Sequence, residues 1–319
     1  MASIKHHQAK YSVLSSTSRS REKSSEEMLK AVEGLISERR IDNFDIVDLK
    51  GWLAFQFDAR ESRIIQEPIS KGRIKDGLVA THLETKPIPY PEEISKIIRD
   101  QNISFEVKRA LMEHFSRKFF NDFIFVEQPD HLKIIMPTEN TEWVTNRILV
   151  PAIGKEFSIK DVDTMHVPFD LLLWLVFKIK KRMNGNLQKM EITSIEDYSA
   201  FARGAAGNLA VEIDDAERNL FTQISAGKKI QCIMVGSVIS YKNRDYPFCL
   251  YEGGVFQPIW RNFERLRAKN YISQRIIDVQ KIALEIIPQI VEEYRNDTDW
   301  PDERDDILRE ELTDAKKRL

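Results

Sequence analysis

The sequence predicts an α+β fold in which helices are mixed with antiparallel hairpins and a meander, and in which a helical segment ends the chain. Three observations support this prediction. Some runs alternate apolar and polar residues, others repeat their apolar residues every three to four positions, and no strand-like run follows residue 259. The first two patterns indicate half-buried strands and amphipathic helices, and the third separates a helical end from the mixed region before it.

Composition restricts the class of protein. The 319 residues are 42% apolar and 31% charged, which is typical of a globular chain with a charged surface. A net charge of −2 gives no global basic excess, so a nucleic-acid partner would have to bind a local patch. Two cysteines, Cys232 and Cys249, favour a reducing cytoplasmic compartment over a secreted disulfide framework. The longest apolar run, 169–177, is shorter than the roughly 20 residues of a membrane span.

Shifts in composition divide the chain into four predicted segments. Residues 1–23 are basic and Ser-rich and are expected to be a disordered tail, although an organelle transit peptide has the same composition. Residues 24–155 are predicted to form an N-terminal α+β domain, and 156–259 a second α+β domain with an antiparallel meander. Residues 260–319 are predicted to form a C-terminal helical association segment.

The N-terminal domain shows both periodicities. Ser24 and Glu27 have capping-box spacing, which predicts a helix from residue 25. Apolar residues at 107, 111, 115 and 119 predict a second long helix over 104–121. A turn at Pro129-Asp130 lies between two apolar runs and predicts a β-hairpin. The remaining predicted elements are strands at 51–57 and 77–86 and helices at 91–100 and 138–152.

The second domain is expected to begin with a strand and an apolar helix. Pro168 before that helix and Gly185 after it match the usual positions of these residues at helix ends. The residues that follow predict a strand at 188–193, a polar helix near 195–202, a strand at 208–213, a helix at 214–226 and a meander that turns near residue 243.

The C-terminal segment contains a heptad-like apolar seam, which is the predicted self-association element of a homo-oligomer. Packing of the same seam onto its own chain is the alternative. Pro288 is expected to kink this helix. The seam residues are Ile272, Ile276, Val279, Ala283, Ile286 and Ile290.

A basic-aromatic segment, residues 260–275, is the candidate nucleic-acid site. Its cations can neutralise phosphates, and its aromatic rings can stack on unpaired bases of DNA or RNA. The alternative is an amphipathic helix whose arginines pair with the acidic stretch 292–311. The candidate residues are Trp260, Arg261, Phe263, Arg265, Arg267, Lys269, Tyr271 and Arg275.

Glu84 and Lys86 are the candidate catalytic residues. Strand periodicity places them on one face, and a carboxylate with a nearby lysine can hold Mg²⁺ and stabilise charge during phosphodiester cleavage. The pattern resembles the Asp…Glu-x-Lys motif of restriction-type nucleases, with Asp76 or Asp58 as the second metal ligand. A proline-rich loop follows the motif where such nucleases usually have a helix, and an ordinary polar strand face explains the same residues.

Established catalytic motifs are absent from the sequence. It contains no G-x-x-x-x-G-K-[ST], no H-E-x-x-H and no G-x-S-x-G. We therefore expect an intracellular, non-enzymatic binding and assembly protein without a cofactor, with nucleic-acid contact as a further option. A nuclease using Mg²⁺ is the first alternative, and an adaptor for a protein partner without a nucleic-acid role is the second.

Overall fold

A computed structural model describes residues 10–19, 24–41, 50–54, 68–87, 89, 91–137, 141–161, 166–180, 190–202, 230–241, 244–258 and 271–318. The predicted α+β class is confirmed, because the described strands pair antiparallel and helices follow them at the C-terminus. The chain forms two compact units. We call Leu14–Asp161 the N-terminal unit, and the residues up to Val13 together with those from Val162 onward the C-terminal unit.

The N-terminal unit combines helices with an antiparallel sheet. Its helices are α1 (Ser25–Ser37), α2 (Glu92–Arg99), α3 (Phe105–His114), α4 (Thr141–Val144) and α5 (Val150–Ile153), with a 3₁₀ turn at Ile69–Gly72 and a π turn at Thr145–Leu149. Its strands are β1 (Tyr11–Ser18, of which Leu14 onward belongs here), β2 (Lys50–Ala54), β3 (Arg73–Ile74), β4 (Gly77–Pro87), β5 (Ser116–Glu127), β6 (Leu132–Pro137) and β7 (Phe157–Asp161).

The sheet of this unit has the order β2-β4-β5-β6-β1, with β3 paired to β4 and β7 to β1. β4 and β5 pair from Gly77↔Val126 to Pro87↔Ser116, so they form one long ladder. The last pair of the ladder is Pro87↔Ser116, and the described residues 89 and 91–115 form an insertion at the end of this hairpin. The predicted hairpin of β5 and β6 is also present, with Ile124 opposite Ile135.

Helix α1 begins as its sequence predicts. The Ser24 hydroxyl accepts from the Glu27 backbone N–H, and the Glu27 carboxylate accepts from the Ser24 backbone N–H at 2.8 Å. Its apolar face, including Met28 and Leu29, is buried in one cluster with side chains of the sheet such as Phe123. Because each fully buried side chain of this size contributes about 1.5–3 kcal/mol, this cluster anchors the helix to the sheet.

The predicted helix 104–121 is too long. Helix α3 ends at His114, and residues 116–121 belong to β5. The helical period continues by coincidence to Phe119, but pairing with β4 supplies a backbone partner along the whole stretch, and long-range pairing overrides local periodicity. The other helix predictions for this unit are confirmed to within a few residues.

Two further differences concern strands that the sequence did not indicate. β1 (Tyr11–Ser18) lies inside the predicted disordered tail, where its Leu14–Ser18 part pairs with β7. The polar helix predicted near 195–202 is instead part of β8 (Met190–Ala202), which pairs with β9 through several register shifts. In both places, pairing with a strand distant in sequence determines the conformation.

The C-terminal unit contains a meander followed by helices. Its described elements are α6 (Phe169–Lys180), β8, β9 (Ile230–Tyr241), β10 (Arg244–Tyr251), a 3₁₀ turn (Glu252–Gly254), β11 (Phe256–Pro258), α7 (Tyr271–Lys281), a π turn (Ile282–Ile286), α8 (Ile287–Asn296) and α9 (Trp300–Arg318). The strand order is β8-β9-β10-β11, and Tyr11 of β1 pairs with Phe256. The predicted meander is confirmed; the strand and helix predicted over 208–226, and Gly185, lie outside the described residues. The sequence had assigned the helices after residue 260 to a separate segment.

Both π turns precede a proline in the same way. The turn Thr145–Leu149 is followed by Pro151, and the turn Ile282–Ile286 by Pro288. Proline has no N–H for the carbonyl four residues earlier, and its ring pushes that carbonyl aside, so the local hydrogen bonds shift to a wider turn. The irregularity expected at Pro288 is therefore present as a π turn rather than a break.

One carboxylate of α6 hydrogen-bonds to both of the last two helices. Asp170 Oδ2 accepts hydrogen bonds from the Tyr294 hydroxyl and the Trp300 indole N–H, both at 2.8 Å, and Oδ1 accepts from Arg304 at 3.2 Å. This residue of α6 thus contacts both α8 and α9. Among the described residues, no helix has both the length and the apolar character required to cross a membrane.

Candidate functional site

The candidate catalytic pair lies on β4. Glu84 is half-buried, and its neighbours in register are Lys50 on β2 and Phe119 on β5. Lys86 is two residues further along the same strand, and its side chain is outside the description. A lysine directly opposite a glutamate is a common stabilising pair across antiparallel strands. Such a pair explains a glutamate at position 84 without a catalytic role.

Asp76, the proposed second metal ligand, lies at the opposite end of the same strand. It occupies the turn between β3 and β4 with φ of 57°, a left-handed conformation that aspartate tolerates, and its carbonyl accepts from the Glu127 N–H at 2.9 Å. Asp76 and Glu84 are eight positions apart, which corresponds to roughly 25 Å of extended chain. The structure therefore does not bring the two carboxylates together. Asp58 lies outside the described residues.

His82 shares the face of Glu84 but belongs to the core. It is 3% exposed, packs edge-on against Trp52 at 5.3 Å between ring centroids, and its Nδ1 has no hydrogen-bond partner among the described residues. Burial, with a smaller contribution from the positive charge of Lys50, lowers the pKa of His82 to about 4. The ring is neutral at physiological pH. Within the described ranges, no group of three or more His, Cys, Asp or Glu side chains could hold a metal ion.

The basic-aromatic segment falls almost entirely outside the description. Residues 259–270 are not among the described ranges, so the nucleic-acid site predicted there stays a prediction from sequence. This holds for Trp260, Arg261, Phe263, Arg265, Arg267 and Lys269. Tyr271 begins α7, and Arg275 is half-buried on the same helix.

The predicted self-association seam is buried within the single chain. Ile276 is 8% exposed and Val279 2%, while Ala283, Ile286 and Ile290 are completely buried. Ile272 lies on α7, and its side chain is outside the description. Because these side chains are already covered, association through the seam would require the helix to leave its own core.

A different surface was missed by sequence reasoning. It is the insertion between β4 and β5, residues 91–115, which contains α2 and α3 and which we call the helical arm. None of the described side chains in the helical arm is buried. Phe105 is 71% exposed, Val107 49% and Ile97 37%. Large apolar side chains at these exposures, on two helices inserted at the end of a hairpin, are the strongest sign of a contact surface in the described structure.

The charges of the helical arm are mixed. Glu92 and Glu93 lie at the start of α2, and Lys96 and Arg99 in its last turn. Glu92 and Lys96 form an exposed ion pair within the helix at 3.0 Å. In α3, Glu106 occupies the first turn and Arg109 is exposed in the next. The arm therefore has no dominant sign of charge that would favour a polyanionic partner.

The signal for the helical arm was present in the sequence, but its meaning depends on the fold. A proline-punctuated loop followed by two short amphipathic helices is an ordinary connection until the strands on both sides are known to pair up to their ends.

Comparisons with known proteins add no relative: no protein-family model matches the chain, and neither does any curated protein sequence.

Proposed function

We propose that this chain is a non-enzymatic binding and assembly protein that associates with itself through the helical arm. One observation supports the proposal above all others. Two short helices, Glu92–Arg99 and Phe105–His114, have no buried side chain among those described. Such an arm has too little packing in a single chain, and it gains that packing when a second molecule covers it.

The short length of both helices explains why they need further packing. Isolated helices shorter than about 12–15 residues are marginal in water, and most helical stability in proteins comes from tertiary packing. Helix α2 has 8 residues and α3 has 10. Ile94, Ile98 and Leu111 are only half-buried, so packing between the two helices covers part of their apolar surface and leaves Phe105 and Val107 in solvent.

A second copy is the partner whose chemistry fits best. The helical arm presents acids and bases in similar number, so a nucleic acid or an anionic lipid surface would meet repulsion from Glu92 and Glu93. A second arm presents the same apolar side chains and the same mixture of charges. Homo-oligomers commonly form by two-fold contacts of one surface with itself. The proposal thus moves the predicted self-association from the buried isoleucine seam to the arm.

The test compares two exposed valines. Val107 lies in the helical arm and is 49% exposed, while Val150 lies in the same unit outside the arm and is 44% exposed. Sedimentation velocity over a wide concentration range should show the unchanged protein as an oligomer. Phe105→Ser combined with Val107→Ser should weaken association by about thirtyfold or more, as expected for loss of apolar anchors. Val150→Ser should associate like the unchanged protein.

The outcome that rejects the proposal is equally clear. If the unchanged protein sediments as a monomer at every concentration, self-assembly is wrong. If Val150→Ser dissociates the oligomer as strongly as the double variant in the arm, association is real but the helical arm is not its surface. Circular dichroism of each variant shows whether the fold is retained.

A further inference from the structure

We infer that two helical arms dock about a two-fold axis, with Glu93 of one copy against Arg109 of the partner subunit and with Phe105 and Ile97 of both arms between these charges. This inference rests on the proposed self-association and adds the pairing that makes it specific.

The positions of the two charges relative to the apolar residues carry the inference. Glu93 lies four residues before Ile97 on α2, and Arg109 lies four residues after Phe105 on α3. Residues four apart on a helix are surface neighbours, so an acid borders one exposed apolar side chain and a base borders another. Both Glu93 and Arg109 are exposed.

Two-fold symmetry turns this arrangement into a matched contact. In an isologous interface each contact occurs twice, with the two residues exchanged between the copies. If Glu93 meets Arg109 of the partner subunit, then Arg109 meets the partner's Glu93. In such a contact Phe105 and Ile97, which border these charges on their helices, would lie between the two ion pairs, which matches the usual arrangement of an apolar centre within a charged rim.

Contacts within the chain do not prevent this exchange. Exposed ion pairs contribute little, because water screens the charges and the long side chains lose conformational freedom. An exposed guanidinium therefore loses little free energy when it exchanges an intrachain contact for an intermolecular one. Rim charges of this kind select the partner and its orientation, while the apolar side chains provide most of the affinity.

Charge exchange between two variants tests the pairing. Glu93→Arg would place two arginines opposite each other in both contacts of a homodimer, and Arg109→Glu would place two glutamates there. Each variant by itself should associate at least about tenfold more weakly than the unchanged protein. A one-to-one mixture places arginine opposite glutamate in both contacts, so association should recover to within about threefold of the unchanged protein.

The matched control reverses one charge that faces away from Ile97 on the same helix. Arg99→Glu changes the same helix at a position roughly 200° around the axis from Ile97, and its mixture with Glu93→Arg should give no recovery. Sedimentation velocity with one fluorescently labelled component measures the mixed species directly.

The possible results separate this inference from the proposal on which it rests. A monomeric unchanged protein would overturn both. An oligomer that the double variant in the arm dissociates, but whose charge variants do not recover on mixing, would overturn the two-fold pairing and leave self-association through the arm in place. Recovery only in the mixture of Glu93→Arg with Arg109→Glu is the result that we expect.

Discussion

Arg244 on β10 donates a hydrogen bond to Asp278 on α7 at 2.7 Å, and the Asp278 side chain is completely buried while that of Arg244 is 28% exposed. This ion pair joins the meander of the C-terminal unit to the helix that follows it. The pair is asymmetric, because the carboxylate is buried and the guanidinium is partly exposed to water. Nearby, the Tyr241 hydroxyl donates to Glu285 at 2.9 Å and joins β9 to the same helical stretch.

This asymmetry predicts which partner is more costly to remove. Arg244→Met leaves the buried carboxylate of Asp278 without its arginine, and we expect a loss of about 3–5 kcal/mol in the free energy of unfolding. Asp278→Asn leaves a guanidinium that water can reach, so the loss should be smaller, about 1–3 kcal/mol. Urea unfolding measures both values. Asp306→Asn, which removes the exposed pair with Arg309, is the control and should have no measurable effect.

Tyr294 predicts a loss of stability at high pH. Burial, together with its hydrogen bond to Asp170, raises the pKa of Tyr294 to about 12 from its ordinary value of 10. Because the folded state keeps the proton more tightly, the stabilisation is complete below pH 10 and is lost as pH rises from 10 through 12. Tyr294→Phe should be less stable than the unchanged protein at pH 8 by about 1–2 kcal/mol, and this difference should shrink above pH 10.

Denaturant titrations of both proteins across this pH range provide the measurement. A difference between them that stays constant from pH 8 to pH 11.5 would contradict the prediction, since it would mean that the ionisation of Tyr294 is the same in the folded and unfolded chains.

His82 predicts the opposite pH dependence. Its pKa is about 4 in the folded chain and 6.5 ordinarily, so the unfolded chain binds a proton first as the solution is acidified. Stability should be unaffected above pH 6.5 and should fall by about 1.4 kcal/mol per pH unit between 6.5 and 4. Other acid-sensitive groups add to this slope, so the measured quantity is the difference between the unchanged protein and His82→Gln.

The matched control for His82 is His131, which is partly exposed and lies next to Asp130 at 2.6 Å. His131→Gln should retain the acid-dependent loss that His82→Gln removes. Equal slopes for the unchanged protein and His82→Gln would show that the buried ring does not titrate as expected.

The nuclease alternative has a direct test. Because Asp76 and Glu84 are separated by roughly 25 Å along one strand, we expect no Mg²⁺- or Mn²⁺-dependent cleavage of DNA or RNA. The measurement is a denaturing gel after incubation of single- and double-stranded substrates with metal or with EDTA. Cleavage that requires metal and disappears in Glu84→Ala would contradict this expectation and establish an enzyme.

Nucleic-acid contact by residues 260–275 is a separate prediction. Arg261→Ala, Arg265→Ala and Arg267→Ala together should abolish any binding that weakens as salt rises, because each cation neutralises a phosphate. Native gels at two salt concentrations measure this effect. Binding that survives the triple substitution would assign nucleic-acid contact to another part of the chain, and the absence of binding in the unchanged protein would favour the protein-partner adaptor.

Local signals in the sequence predicted the elements whose causes are local. The capping box at Ser24 and Glu27 fixed the start of α1, and the turn at Pro129 and Asp130 identified the hairpin of β5 and β6. Side chains within a few residues of one another satisfy the backbone in these places, so a short stretch contains all the necessary information.

Elements that depend on distant strands were predicted wrongly or missed. The end of α3, the strand at Tyr11–Ser18 and the strand at 190–202 are all determined by backbone pairing with residues far away in sequence. Periodicity measures which face of an element is apolar, and it contains no record of which strand lies beside it.

The same distinction between local and distant causes applies to the candidate sites. Sequence alone determined the α+β class, the helical end of the chain and the apolar seam, because composition and period are properties of the chain itself. Only the tertiary structure decided that the seam is buried, that Asp76 lies far from Glu84, and that Phe105 and Val107 remain in solvent. Exposure and distance depend on how segments that are distant in sequence pack together. The pattern within one segment does not specify which segment packs against it.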